Sequence, residues 1–317
     1  MINYKNNIMV YQFIDDSKVL VKDYISKLVE HEIIICFDLE DSIKGFGNRI
    51  KSHTDKIKSN IFKNILFLLS HYPIKVLGIR INETDTDDFY ADILLLKEIS
   101  NYPIYLKLFL PKVKTKNDIQ HTIDQINLRG IKNFEIIPII ESQKGINSLS
   151  EIVKCNLDNI SKIAFGHCDY NYDCNVFPFF HQNSIEYWIW VKKISGALND
   201  KMVLLNSPYL ILNDDIGFIK MLKKLSGVRD TIGQITLSIK QSLLCKNFIE
   251  SAMVKTTDNS DIKSEIILNK INYAVRLINE YNKYKVDGKN FSVNSENKKL
   301  ISPQEYLKAK GTINKVE

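Results

Sequence analysis

The sequence is basic but contains little arginine. Lysine and arginine together number 43 against 37 acidic residues, which gives a formal net charge of +6. The arginines are Arg49, Arg80, Arg129, Arg229 and Arg276. Proteins that recognise phosphates and base edges favour the two-pronged guanidinium group, and the lysines here are scattered. The composition therefore argues against nucleic-acid binding, and an arginine in an unusual position becomes a candidate functional residue.

Long hydrophobic runs are also missing. The densest run, residues 65–69, is five residues long, whereas a membrane-spanning helix needs about 18. The first residues contain no apolar stretch followed by a small-residue cleavage site. We therefore expect no export signal, no membrane association and a cytoplasmic location. The five cysteines are odd in number and irregularly spaced, which predicts reduced thiols.

Several sequence signatures of catalysis are absent. No Gly-x-Gly-x-x-Gly follows the first predicted strand, and there is neither a Gly-x-Ser-x-Gly elbow nor a phosphate-binding Gly-Lys-Ser/Thr loop. One segment collects residue types that bind zinc, namely His167, Cys168, Asp173, Cys174 and His181. Their spacing matches no familiar zinc pattern, so we do not expect a zinc site there.

What the sequence does contain is a repeated pattern of strand and helix. Eight short runs rich in Ile, Val, Leu and Phe are each followed by a helix-like stretch, and they are nearly continuous in apolarity. Such runs are typical of parallel strands covered on both faces. They lie at residues 8–13, 33–38, 75–81, 104–110, 134–140, 162–166, 202–206 and 234–237. Eight units of this kind predict an α/β fold, a closed (β/α)8 TIM barrel.

The last part of the chain departs from this pattern. After a polar break at 255–260 there is a long helical pattern at 261–284, a turn at 286–288 and a short helix after Pro303. We therefore predict a catalytic barrel over residues 1–245 and a C-terminal helical extension over residues 246–317.

The ends of the predicted strands hold the candidate site residues. In a TIM barrel the active site is built from the C-terminal ends of the strands and the loops that follow. These positions are occupied by Asp38, Glu40, Asp41, Arg80, Asn82, Lys112, Glu141, Gly166 and Asp169. Random placement would not sort charged residues by strand end, so we predict that they converge on one rim of the barrel.

Glu141 and Asp169 follow neighbouring strands and are candidate metal ligands. Two carboxylates completed by water and substrate oxygens suit an octahedral Mg²⁺ or Mn²⁺ ion. The alternative is that each carboxylate caps the helix that follows it, where acidic residues are favoured in any protein.

A second acidic group, Asp38, Glu40 and Asp41, needs compensating cations. Like charges at close range raise one another's pKa, and Arg80 and Lys112 on the next strands are plausible partners. The result is either a structural ion-pair network or a functional arrangement. In the functional arrangement Arg80 is a fixed cation that stabilises an oxyanion in the transition state.

Five motifs in this region occur in order along the chain. They are Asp38-Leu39-Glu40-Asp41-Ser42-Ile43, Arg80-x-Asn82, Leu110-Pro111-Lys112-Val113, Ile139-Ile140-Glu141-x₃-Gly145 and Phe165-Gly166-x₂-Asp169. Further matches are Asp214-x₂-Gly217-Phe218, Val286-Asp287-Gly288-Lys289 and Ser302-Pro303-x₅-Ala309. Together they resemble the HpcH/HpaI aldolase and citrate lyase beta-subunit-like family over nearly the whole chain.

The resemblance implies both a reaction and roles for these residues. Members of the family form or cleave a carbon–carbon bond next to a 2-oxo acid, often with an acyl thioester as the other fragment. By resemblance Glu141 and Asp169 bind Mg²⁺ or Mn²⁺, and Arg80 binds the carbonyl or enolate oxygen. Glu40 and Asp41 contact metal-bound water.

The remaining site residues receive expected roles on the same basis. We expect Lys112 to act with Arg80, Glu40 and Asp41 in catalysis, and Asp38, Asn82 and Gly166 to contact the substrate. The expected partner is a small-molecule 2-oxo acid or hydroxyacyl thioester, and the family implies a homo-oligomer, a trimer or a hexamer.

Two departures from the family pattern bear on the substrate. Many relatives have Ile-His-Pro-x-Gln after the last strand, whereas this chain has Leu237-Ser238-Ile239-Lys240-Gln241. The Arg-Ser pair usual on strand one is also missing around Asn7-Ile8-Met9. Both segments lie near where relatives hold substrate, so we hypothesise an unusual substrate and leave the use of CoA open.

The sequence is compatible with three functions. The leading one is a divalent-metal-dependent carbon–carbon lyase or aldolase that acts on a 2-oxo-acid-forming hydroxy acid or its acyl thioester. The second is a metal-dependent acyl thioester hydrolase, in which activated water attacks a thioester at the same site. The third is a barrel that binds a ligand without turnover.

Overall fold

A computed structural model describes residues 8–40, 51–154, 159–248, 266–286, 289–296 and 298–314, with backbone only at 51–54 and 266–269. Asp41, Cys155, Asp287 and Gly288 lie outside these ranges. Within them, no helix is both long and apolar enough to cross a membrane.

Eight parallel strands form a closed barrel in which each strand pairs with the next and β8 pairs with β1. The strands are β1 (Met9–Phe13), β2 (Ile34–Asp38), β3 (Val76–Arg80), β4 (Tyr105–Leu110), β5 (Phe134–Ile140), β6 (Lys162–Phe165), β7 (Val203–Asn206) and β8 (Ile232–Thr236). This topology confirms the predicted α/β class and the (β/α)8 TIM barrel. Because all strands are parallel, their C-terminal ends meet at one rim.

Helices connect successive strands around the outside of the barrel. They are α1 (Lys22–Glu30), α2 (Lys51–His71), α3 (Asp87–Ile99), α4 (Lys116–Leu128), α5 (Gln143–Asn147), α6 (Leu149–Lys154), α7 (His167–Asp173), α8 (Ile185–Ala197), α9 (Asp215–Ser226) and α10 (Ile239–Lys246). Side-chain caps fix several N-termini: Thr86 accepts a hydrogen bond from Phe89, and Ser184 accepts one from Tyr187.

Strand residues alternate between the barrel interior and the helix layer. Cys36, Phe109 and Ile137 belong to a small interior cluster, whereas their neighbours in the chain pack in the large outer core. The interior is tight: a Cβ at Gly78 would lie 2.3 Å from the sulfur of Cys36. By the same alternation Asp38, which lies two residues beyond Cys36, is directed into the mouth of the barrel.

A buried ion cluster closes the opposite end of the barrel. Glu135 is 4% exposed and accepts hydrogen bonds from Lys107, Ser161 and Lys162, the last at 2.8 Å. Residues at this N-terminal face of a TIM barrel contribute to stability rather than to catalysis. We therefore assign the cluster a structural role.

The C-terminal segment consists of α11 (Ile266–Lys283), a short antiparallel pair β9 (Ser292–Val293) and β10 (Leu300–Ile301), and α12 (Pro303–Ile313). Leu277 and Tyr281 of α11 form a cluster with Ala309 of α12. Phe177 and Phe179, from the loop between α7 and α8, complete this cluster. The extension is therefore packed against the segment that follows β6.

Candidate active site

Asp38 and Arg80 form a two-pronged ion pair at the barrel mouth. They are register partners on β2 and β3, so both side chains leave the strands at the same level. Arg80 Nε donates to Asp38 Oδ1 at 2.7 Å, and Nη2 donates to Oδ2 at 2.7 Å. Such paired bonds fix the plane of the guanidinium group as well as its position.

Glu40 lies between two cations. Its side chain is fully buried, its Oε2 lies 3.4 Å from Arg80 Nη1, and Lys112 Nζ donates to its Oε1 at 2.7 Å. A buried carboxylate requires such compensation, because removing an ion from water carries a large desolvation cost. Glu40 therefore couples the ends of β3 and β4.

Lys112 contacts two carboxylates from one backbone position. Its side chain reaches Glu40, and its backbone N–H donates to Glu141 Oε1 at 2.6 Å. The residue has φ of 55°, a left-handed conformation that is uncommon for residues other than glycine. Strained backbone of this kind concentrates at functional sites, where the surrounding structure maintains it.

Glu141 packs against Gly166, which follows β6. A Cβ at Gly166 would lie 2.3 Å from Glu141 Oε2 and 2.7 Å from its Cβ. Any side chain at residue 166 would therefore displace the carboxylate. Glu141 is 5% exposed, and its carboxylate is held between the Lys112 backbone and the Gly166 backbone.

Asp169 lies in the first turn of α7, three residues beyond Gly166, and is partly exposed. Both of its carboxylate oxygens accept hydrogen bonds from Gln304 Nε2, at 3.1 and 3.0 Å. Gln304 belongs to α12, so the C-terminal extension reaches a predicted metal ligand. Sequence reasoning did not find this contact, since nothing local marks a glutamine 135 residues further along the chain.

Asn82 is placed differently from the other candidates. It is fully buried, and its side-chain amide donates to Leu39 O at 2.9 Å and to Asp92 at 2.7 Å. Lys58 in turn lies 2.9 Å from Asp92. Burial raises the pKa of Asp92, an effect partly offset by Lys58 and Asn82. In this structure Asn82 links the loop after β2 to α3.

The described candidates thus divide into three groups. Direct contacts connect Asp38, Glu40, Arg80, Lys112, Glu141 and Gly166 in one network from β2 to β6. Asp169 follows Gly166 and is bonded to Gln304, and Asn82 supports the loop behind Glu40. The remaining candidate, Asp41, lies outside the described residues.

The described candidates at this rim carry more acidic than basic side chains. They include four carboxylates and two cations, an excess of two negative charges: Asp38, Glu40, Glu141 and Asp169 against Arg80 and Lys112. Among the described residues, no group of three or more His, Cys, Asp and Glu side chains is arranged to hold a metal ion. Mg²⁺ is commonly bound in proteins by one or two carboxylates, with water completing its coordination.

The segment that departs from the family pattern after β8 forms the start of α10. Ser238 caps this helix by accepting a hydrogen bond from Gln241 N at 3.3 Å. The Gln241 side chain is buried and donates to Tyr209 O at 3.1 Å. The glutamine of the motif is thus used to hold the loop after β7.

Fold and site together define a TIM barrel with an acidic, cation-compensated mouth. Residues 32–177 match the sequence model of the HpcH/HpaI aldolase/citrate lyase family. The match spans β2 to β6 and contains every described candidate discussed above. Over these residues it confirms the resemblance inferred from the motifs and the expected class of enzyme, a carbon–carbon lyase of the aldolase or citrate lyase type.

Solved structures share the barrel at low sequence identity. A Haloferax volcanii malate synthase in a ternary complex with pyruvate and acetyl-CoA is 15% identical, with a TM-score of 0.69 over 98% of this chain and 91% of that chain. Mycobacterium tuberculosis CitE in complex with magnesium and pyruvate is 12% identical, with a TM-score of 0.55 over 83% and 97%.

A Burkholderia xenovorans citrate lyase is 13% identical, with a TM-score of 0.59 over 98% of this chain and 92% of that chain. At such identities these likenesses establish the fold alone. No curated protein matches the chain in sequence.

Proposed function

We propose that the protein is a divalent-metal-dependent carbon–carbon lyase or aldolase whose reaction yields or consumes a 2-oxo acid. The observation that carries the proposal is the network from Asp38 to Glu141, which brings carboxylates and cations together at a single barrel rim. The family match over residues 32–177 supports the same reaction class.

We assign Glu141 and Asp169 as the residues that hold Mg²⁺ or Mn²⁺. Both are hard oxygen donors, which is the ligand type that these ions prefer. Glu141 meets the requirement for preorganisation, because Lys112 N–H fixes one oxygen and Gly166 leaves room for the other. When bound, the ion polarises a carbonyl and lowers the pKa of a coordinated hydroxyl.

Arg80 supplies the second positive charge at the reacting centre. Cleavage next to a 2-oxo acid leaves an electron pair that is stabilised as an enolate, and a fixed guanidinium facing its oxygen lowers that barrier. Asp38 and Glu40 hold the guanidinium in place before substrate arrives. Lys112 compensates the other oxygen of Glu40, so that Glu40 stays in place beside the Arg80 guanidinium.

The substrate class follows from the same chemistry and from the relatives. A 2-oxo acid presents a carboxylate and a carbonyl oxygen side by side, and the malate synthase and CitE structures each hold pyruvate. We propose a hydroxy acid or its thioester as the bond-cleavage substrate, with a 2-oxo acid as product. We further propose that the enzyme works as a homo-oligomer, a trimer or a hexamer.

An assay of 2-oxo acid release tests the proposal. The purified full-length protein is incubated with Mg²⁺ and a panel of hydroxy acids and hydroxyacyl thioesters, and pyruvate, oxaloacetate and glyoxylate are detected as hydrazones. We expect release that is abolished by a chelator and restored by Mg²⁺. Glu141→Gln should lose the activity, whereas Glu98→Gln, a change on the exposed face of α3, should retain it. Thioester cleavage without 2-oxo acid release would favour a hydrolase instead.

A further inference from the structure

The C-terminal helix α12 brings an uncharged side chain to Asp169. Gln304 Nε2 lies almost equally far from the two oxygens, at 3.1 and 3.0 Å, so one amide nitrogen spans the carboxylate. A donor in this position restricts rotation of the carboxylate about its last side-chain bond. The amide carries no formal charge and therefore does not itself neutralise the negative charge of Asp169.

The start of α12 is fixed to the structure around it. Ser302 is buried and accepts a hydrogen bond from Glu305 N at 3.2 Å, and Pro303 occupies the first turn. Gln304 therefore projects from a capped helix rather than from a loose chain end. The rigidity of this turn determines where the amide lies.

Glu305 attaches the same turn to the barrel. Its side chain is fully buried, Tyr273 OH donates to Oε1 at 3.2 Å, and His181 Nε2 lies 3.6 Å from that oxygen. Burial raises the pKa of Glu305, but hydrogen bonding and charge from His181, with help from Lys299 and Tyr273, outweigh burial and lower it. Glu305 is thus a buried anion whose partners come from both α11 and the loop after α7.

A chain of contacts continues from Glu305 into the segment that carries Asp169. His181 Nδ1 lies 3.1 Å from His167 Nε2, and His167 is the first residue of α7. Burial, with a smaller contribution from His181, lowers the pKa of His167 well below its usual value. The α12 turn and the α7 turn are therefore joined twice, by Gln304–Asp169 and by Glu305–His181–His167.

We propose that Gln304 is a positioning residue, which orients the Asp169 carboxylate for the divalent ion from a helix turn docked by Glu305. The inference rests on the proposed function, since it concerns a ligand of the same metal. Hydrogen-bonded partners of metal ligands typically affect metal affinity by about 10–100-fold. The C-terminal extension is accordingly a part of the metal site and not only a covering of the barrel.

Calorimetric titration with Mn²⁺, without substrate, tests this role. We expect Gln304→Ala to weaken Mn²⁺ binding by about 10–100-fold with an unchanged fold. The matched control is Gln120→Ala, which removes an amide–carboxylate bond of 2.8 Å to Asp124 on the exposed face of α4. That variant should bind Mn²⁺ like the wild type.

Two results would overturn the inference. If Gln304→Ala binds Mn²⁺ like the wild type, the amide does not position the ligand; if it binds Mn²⁺ more tightly, Gln304 competes with the ion. In both cases the wild type binds Mn²⁺, so the proposed function stands. A wild type that binds neither Mn²⁺ nor Mg²⁺ would remove the proposed function and this inference together.

Discussion

Lys112 and Glu141 are joined through the backbone: the N–H of Lys112 donates to Glu141 Oε1 at 2.6 Å. The same lysine reaches Glu40 with its side chain at 2.7 Å. Its left-handed backbone conformation permits both contacts, because it turns the chain at the end of β4. One residue therefore sets the position of a predicted metal ligand and the charge balance of the carboxylate beside it.

Removing the charge of Lys112 should destabilise the fold measurably. Lys112→Met leaves the buried Glu40 carboxylate with a cation at 3.4 Å but without its 2.7 Å partner. Losing a charged partner at a buried group costs on the order of 2 kcal/mol, which urea unfolding can measure. Lys114→Met is the control, because Lys114 pairs with the half-exposed Glu83 and should cost less than about 1 kcal/mol. Equal losses in the two variants would show that Glu40 does not depend on Lys112.

Replacing Arg80 by lysine should impair catalysis far more than folding. A lysine keeps the charge but cannot donate two parallel hydrogen bonds to Asp38. We expect kcat/KM to fall by a factor that corresponds to about 2.7–4 kcal/mol, as when one oxyanion donor is lost. Arg129→Lys, at the end of α4 and hence towards the opposite face of the barrel, should keep wild-type kinetics. Wild-type kcat/KM in Arg80→Lys would exclude the assigned role.

A methyl group at residue 166 should displace Glu141. In Gly166→Ala the new Cβ would lie 2.3 Å from Glu141 Oε2, so the carboxylate must move. We expect Mn²⁺ affinity to fall at least ~10-fold in calorimetry. Gly196→Ala in α8 is the matched control, because a Cβ at Gly196 would have no atom within 4 Å. This variant should bind Mn²⁺ like the wild type, and its free energy of unfolding should rise by about 0.5–1 kcal/mol. Unchanged Mn²⁺ affinity in Gly166→Ala would show that Glu141 does not bind the metal ion.

Replacing Glu135 should lower the free energy of unfolding and leave Mn²⁺ affinity unchanged. Burial raises its pKa, but Lys107, Lys162 and Ser161 outweigh burial and lower the pKa below its usual 4.5. The carboxylate therefore stabilises the fold fully above the unfolded-state pKa, and this contribution is lost as pH falls through the folded-state pKa. Glu135→Gln should cost about 3–5 kcal/mol at pH 7 and flatten the acid limb of the stability curve. An unchanged acid limb, or a loss of Mn²⁺ affinity, would contradict the structural role.

The strands were predictable because their apolar runs are short and clearly bounded. Predicted and observed bounds agree closely for β1 to β7, and the eight-fold repetition indicated the barrel. The last strand begins at Ile232 rather than at residue 234, because Gly233 interrupts the apolar run. A Cβ at Gly233 would lie 2.3 Å from Leu205, so the barrel requires the glycine that obscured the strand.

The helices were predicted less well than the strands where a helix is short or polar. The helix-like stretch after the first apolar run is a 3-10 turn (Asp16–Leu20) followed by α1, and the stretch after the fifth run is observed as two helices, α5 and α6. The bounds of α7 and α10 could not be predicted, because neither helix has a clear apolar stripe of helical period.

The candidate site was predictable as a set of positions but not as a set of contacts. The rule that strand ends form the site placed Asp38 and Arg80 on one rim, and their register pairing follows from strand order. The same rule selected Asn82, whose side chain instead supports Leu39 and Asp92. Which carboxylate pairs with which cation, and the arrival of Gln304, depend on tertiary packing that no local pattern encodes.

The most direct test is a crystal structure of the protein soaked with Mn²⁺, with the metal located by its anomalous scattering. The structure should show one Mn²⁺ ion at the barrel mouth, with an oxygen of Glu141 and an oxygen of Asp169 each at about 2.1 Å. An ion bound elsewhere, or Glu141 and Asp169 too far apart to share one ion, would contradict the proposed metal-dependent lyase.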